Sequence, residues 1–152
     1  MIRNYFLAGL VAALCFAAVV FTSGGTLDTF ADIPSIIIMV IFPLAYQWML
    51  FGASYGKDAF ISPFKAEASL AQLSRARLFF KSYRKVAWIT ALIVVIIGFV
   101  TIMKYLEVKE MLGPNLAIAS ISLLYAGLID IFIIIPYNII LTKRMAVLEE
   151  DI

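Results

Sequence analysis

"LLYAGLIDIFIIIPYN", residues 123–138, reads as lipid-soluble helix except at one position, where an aspartate, Asp130, interrupts it. Extended outward, the uncharged stretch covers residues 116–142 with Asp130 as its only charge. Roughly 20 apolar residues cross the ~30 Å hydrocarbon core of a bilayer as a helix. Three further stretches, residues 5–22, 33–55 and 86–103, also carry no charge. The sequence therefore predicts an all-α membrane protein with four transmembrane helices, folded as a single membrane domain over residues 1–152. A β-barrel is not expected, because these are continuous apolar runs and not ~10-residue alternating segments. Composition agrees: 64% of the 152 residues are hydrophobic, and the mean hydropathy of +1.02 is far above that of globular chains.

The net charge of +2 carries less information than the placement of Lys and Arg. Between the second and third stretches lie Lys57, Lys65, Arg75, Arg77, Lys81, Arg84 and Lys85. Arg3 precedes the first stretch, and Lys143 and Arg144 follow the fourth. The other two connections hold Lys104 and Lys109 beside Asp28, Asp32, Glu107 and Glu110. Cytoplasmic connections collect basic residues, so both termini and the middle connection are expected in the cytoplasm. A signal peptide is the alternative reading of Arg3 and its apolar run, but no A-x-A site follows, and cleavage would leave three spans and the wrong charge balance. Cys15 is the only cysteine, so no intramolecular disulfide can form, and inside a span it reads as apolar filler.

"TSGGTLDTFADIPS", residues 22–35, is rich in turn formers and predicts a tight outer hairpin. Gly24 and Gly25 permit positive φ, Pro34 suits a first helical turn, and Asp32 can accept orphan amides there. After the second span, "SYGKDAFISPFK" is expected to break the helix; residues 66–85 resume it with good helix formers and no Gly or Pro. One helix from about Ala66 to Tyr105, on the order of 60 Å long, would stand partly in the cytoplasm. Leu70, Leu73, Phe80 and Tyr83 recur on it at near-helical spacing. Packing on neighbouring subunits, with the basic residues near anionic lipid headgroups, is the expectation for that face; docking of a cytoplasmic partner is the alternative.

Histidine is absent, and so are the phosphate-binding, dinucleotide-binding and nucleophile-elbow motifs. A metal site, a cofactor or an enzyme activity is not expected. The basic connection is short and lies beside a membrane, so nucleic-acid binding is not expected either.

Two blocks together resemble the MotA/TolQ/ExbB family, closest to its MotA side. "GGTLDTFADIPSIII", residues 24–38, is similar to that family's G-G … D-x-P-S followed by a hydrophobic run. "MLGPNLAIASISLLYAGLIDIFIIIPYN", residues 111–138, is similar to its A-L-G-P-x-x-A-V-A-L-L-T-T-L-Y-G … L-P pattern. The resemblance implies a ring subunit, five copies around two single-span partner chains of the MotB/ExbD kind, in a proton- or sodium-driven complex of the bacterial inner membrane. It further implies that spans three and four line the pore and that the partner carries the main ion-binding aspartate. This chain departs from the family twice. Motor-type members carry a much longer cytoplasmic insertion, which makes direct contact with a flagellar rotor doubtful here. The family's two pore threonines fall on Val95 and Leu123, with Ser122 and Ser120 close enough to compensate if the helix is rotated.

Asp130 lies seven residues after Leu123, and seven residues at 100° return a side chain to within about 20° of the same face. A charged carboxylate at mid-membrane costs at least ~2.5–3.5 kcal/mol, which disfavours a lipid-facing position. Two readings stay open. In one, Asp130, Ser122 and Ser120 line an ion path. In the other, Asp130 makes a packing hydrogen bond to a neighbouring helix, through Tyr137, Asn138 or a serine. Pro136 is expected to kink span four, and Gly127 beside Ala126 to let another helix approach. Lys104 and Glu107 read as a solvated pair. The competing reading of the whole chain is a membrane scaffold that keeps the family fold without conducting, its centre filled by lipid or a structural helix.

Overall fold

The computed structural model describes residues 2–65 and 67–150, and among these all regular structure is helical. Helix α1 covers Ile2–Thr22. Its chain reverses through Gly24, whose φ of 73° is open to glycine at no steric cost, and a 3₁₀ turn follows at Leu27–Phe30. Asp32 then caps α2, Ile33–Phe51, by accepting the Ser35 amide at 2.9 Å, with Pro34 in the first turn. The predicted tight hairpin is present. It is fastened to the last long helix by Tyr125, whose hydroxyl donates to the Phe30 carbonyl and accepts the Asp32 amide at 3.1 Å.

The second stretch is shorter than its uncharged length. Helix α2 stops at Phe51 because Gly52 takes φ 80°, and a new helix, α3, runs over Ala53–Ile61. The sequence carries the span to residue 55 and places the break within residues 54–65; the helix stops earlier, at Gly52, and a second break after Ile61 falls inside that segment. Tertiary packing decides it: Gly56 and Ala59 are buried, and the Trp48 ring lies about 3.5 Å from where a Cβ on Gly56 would stand.

The long helix α4 covers Leu70–Lys104, about 52 Å for its 35 residues. A capping box starts it: the Gln72 amide donates to Ser69 Oγ at 3.3 Å, and the Ser69 amide to Gln72 Oε1 at 3.2 Å. Ala66, where the sequence places the start, lies outside the described residues. Helix α5 runs from Lys109 to Glu150, 42 residues or about 63 Å.

Two π-helical segments interrupt these helices, Ile37–Ile41 in α2 and Asp130–Ile134 in α5. Each ends two residues before a proline, Pro43 and Pro136. Proline has no N–H to donate and its ring crowds the carbonyl four residues back. One widened turn relieves that crowding: the Phe42 amide reaches back five residues to Ile37, and the Ile135 amide five to Asp130. The disturbance expected at Pro136 thus takes the form of a π turn beginning at Asp130.

Helices α4 and α5 form an antiparallel hairpin folded at residues 105–108. They pack tightly at Gly98, where a Cβ would stand 3.0 Å from Ala119 Cβ and 3.3 Å from the Asn115 carbonyl. Gly127, the expected approach point, has no atom within 4 Å of an added Cβ. Toward the N-terminal half of α4 lies the core. Leu73, Ala76, Phe79, Phe80 and Tyr83 are buried against Leu141 and Ile134, and Phe80 stacks on Tyr137 with ring centroids 4.7 Å apart. The Leu73, Phe80 and Tyr83 face is therefore taken up inside its own chain, and of the four residues on that stripe Leu70 alone stays exposed. Lys104 places its ammonium 5.4 Å from the Tyr105 ring centroid, a contact not foreseen in reading it with Glu107.

Helices α2, α4 and α5 are each long and apolar enough to cross a membrane, while the apolar part of α1 among the described residues, Leu7–Thr22, is shorter. Large hydrophobic side chains cover their outer faces, among them Ile93, Ile96, Val100 and Met103 on α4. The protein is a helical, membrane-embedded chain.

Candidate functional site: a buried carboxylate between two long helices

Arg84 and Asp130 lie 23 residues before and 23 after residue 107. At 1.5 Å per residue along two antiparallel helices that places them on one level. The Arg84 guanidinium reaches Asp130 Oδ2 at 2.8 Å. Trp88, one turn further along α4, donates its indole N–H to the same oxygen at 3.3 Å. The Asp130 side chain is 6% exposed and that of Arg84 51%, so the carboxylate is enclosed while its cation extends from the edge of the helix pair. The second carboxylate oxygen, Oδ1, is buried and has no hydrogen-bond partner.

The partners differ from those the sequence suggested: Tyr137 is held in the aromatic cluster with Phe60, Phe64 and Phe80, and no hydrogen bond joins Asp130 to Asn138 or a serine. On α4, Arg84 stands just before the uncharged run of residues 86–103, while on α5 the uncharged residues continue past Asp130 to Thr142. A desolvated carboxylate costs less when a cation and a hydrogen-bond donor hold it, and removing the cation leaves it stranded.

Ser120, Ser122 and Asp130 do not form one surface. Ser122 and Asp130 are buried, and Ser120 is exposed, as two residues' spacing, about 200° of helix, requires. Both hydroxyls donate back into their own helix, Ser122 to the Ile118 carbonyl at 2.9 Å and Ser120 to Leu116 at 2.8 Å. Leu123 is exposed and lines an open groove beside α1, while Val95 is half-buried on α4. Leu123 and Asp130 therefore meet different surroundings despite their seven-residue spacing. Thr90, which the sequence reading passed over, is a buried hydroxyl on α4 donating to the Val86 carbonyl at 2.8 Å. Among the described residues no three acidic or cysteine side chains converge as metal ligands would.

Arg84 was read only as part of a basic run, and Trp88 not at all. The signal for Arg84 was its equal count of residues from the connection, and Trp88 follows it by one helical turn. Comparison of the chain with protein-family models and with curated proteins finds no match.

Proposed function

We propose that this chain is the ring subunit of a reduced ion-driven membrane complex, with both termini in the cytoplasm of a bacterium and the inner membrane as its site. In this reading about five copies surround a single-span partner that carries the main ion-binding carboxylate, and ion entry is coupled to mechanical work. The sequence resemblance to the MotA/TolQ/ExbB family supplies the class. The observation that carries the reading is Asp130, a carboxylate enclosed between two long apolar helices with one oxygen held by Arg84 and Trp88 and the other, Oδ1, without a donor. An ionisable side chain inside a membrane-spanning helix is the kind of group that marks an ion path.

Assembly has its own support. The only charge between Glu110 and Lys143 on α5 is Asp130. That run is about 48 Å long, against a ~30 Å hydrocarbon core. Leu116 and Ile118 near one end and Ile133 further along are exposed on the single chain, away from the groove beside α1. Contact between copies would cover part of that surface, with helix tilt taking up the rest of the length.

A second reading, the non-conducting scaffold, is favoured by a different observation: the Arg84 guanidinium already compensates the Asp130 charge, and Val95 and Leu123 stand where the family has hydroxyls. The Asp130→Asn variant separates the two. Under the first reading, ion flux into vesicles carrying the complex falls while the ring stays assembled. Unchanged flux with an intact ring removes Asp130 from the ion path and leaves it a packing residue.

A further inference from the structure

Helix α1 meets the rest of the chain mainly at the π segment of α5. On either side of that meeting point the two helices stand apart, leaving a furrow in two parts that share Ile131. The larger part, about 600 Å³, is lined by apolar groups from both helices, including Ala12, Phe16, Leu124 and Gly127. The other, about 420 Å³, runs past Ala8, Gly9, Ile135 and Pro136 to Tyr5 and Lys143. The floor is open: neither Gly9 nor Gly127 has an atom within 4 Å of an added Cβ.

The furrow's polarity is one-sided. Lys143, the only charged lining residue among those described, stands at one end with its ammonium 5.9 Å from the centroid of the Tyr5 ring. The Tyr5 hydroxyl beside it is enclosed and has no hydrogen-bond partner. Among the described residues no acidic side chain lines either part. A cation at the mouth of a long apolar channel matches one chemistry, a phosphate followed by a hydrocarbon chain.

We propose that this furrow holds one acyl chain of an anionic phospholipid, its phosphate bound by Lys143 Nζ beside the Tyr5 ring. The lipid acts as the filler that seats α1 on the α4–α5 hairpin. Along α1 the furrow extends from Tyr5 to Ser23, about 27 Å, longer than the ~15 Å of one leaflet's hydrocarbon. The site belongs to a single protomer, so it stands whether or not the chain forms a ring.

The test uses the full chain purified in mild detergent, stripped of lipid, and titrated with phosphatidylglycerol or phosphatidylcholine while native mass spectrometry counts adducts per protomer. Phosphatidylglycerol is expected to bind more tightly. Lys143→Gln weakens it about fivefold, the worth of one basic residue beside an anionic headgroup, and Lys143→Arg restores it. Gly9→Leu, which fills open space and suits a helix, lowers retention of both lipids, with circular dichroism reporting that the fold is kept. Equal binding of the two lipids, or retention unmoved by Gly9→Leu, overturns the proposal. A photo-crosslinker placed at residue 9 gives an independent readout: capture of phospholipid supports the site, and capture of a second copy of the chain shows that a helix, not a lipid, fills the furrow.

Discussion

Removing the Arg84 guanidinium leaves the Asp130 carboxylate enclosed with only the Trp88 indole as a donor. Arg84→Ala is therefore expected to lower the midpoint of thermal unfolding in detergent, by the equivalent of roughly 1–3 kcal/mol for a stranded polar group. Asp130→Asn removes the charge that needs compensating and keeps an oxygen for Trp88, so it should cost less. Arg84→Leu combined with Asp130→Leu should recover most of the loss, since apolar replacement of a buried pair is often neutral. A double variant as unstable as Arg84→Ala would show that the pair is not the unit. In the sequence Asp130 was conspicuous, a lone charge in an apolar run. Its partner was not, because Arg84 sits among six other basic residues of the middle connection that topology alone already explains. Pairing across 46 positions becomes visible only when the connection at 105–108 is taken as the fold point of two straight helices.

Among the elements, α4 is the best specified by local chemistry. Ser69→Ala breaks the capping box and should cost about 1 kcal/mol, read as faster hydrogen exchange confined to the first turn at Leu70–Leu73 with the remainder of α4 unchanged. Gly98 is set by tertiary contact: Gly98→Leu drives a side chain into Ala119 and Asn115 and should destabilise the α4–α5 hairpin by about 1–3 kcal/mol. Gly127→Ala meets open space and should leave the unfolding midpoint within error. The long helices were legible because uncharged length and absence of breakers are local properties. The Gly52 stop and α3 were not, since Gly56 and Ala59 become helical through burial against other elements. Pro43 and Pro136 announced a disturbance in their helices, but its form, a π turn upstream of each, follows from how neighbouring turns relieve one crowded carbonyl.

At the scale of the whole molecule, Tyr125 fastens the tip of the α1–α2 hairpin partway along α5, while the α4–α5 hairpin continues past it to residues 105–108. The two hairpins are therefore staggered along α5. Composition revealed the membrane class at once; the stagger lay hidden because it depends on one tyrosine hydroxyl meeting a turn 93 positions away. Tyr125→Phe should loosen that turn, detected as faster exchange at Asp32 and Ser35 without loss of the α4–α5 hairpin. The claim that matters most is the assembly, and native mass spectrometry of the complex drawn from its own membrane in mild detergent tests it most directly. Five copies bound to two of a single-span chain is the predicted mass; a single copy that stays alone under those conditions would contradict the ring.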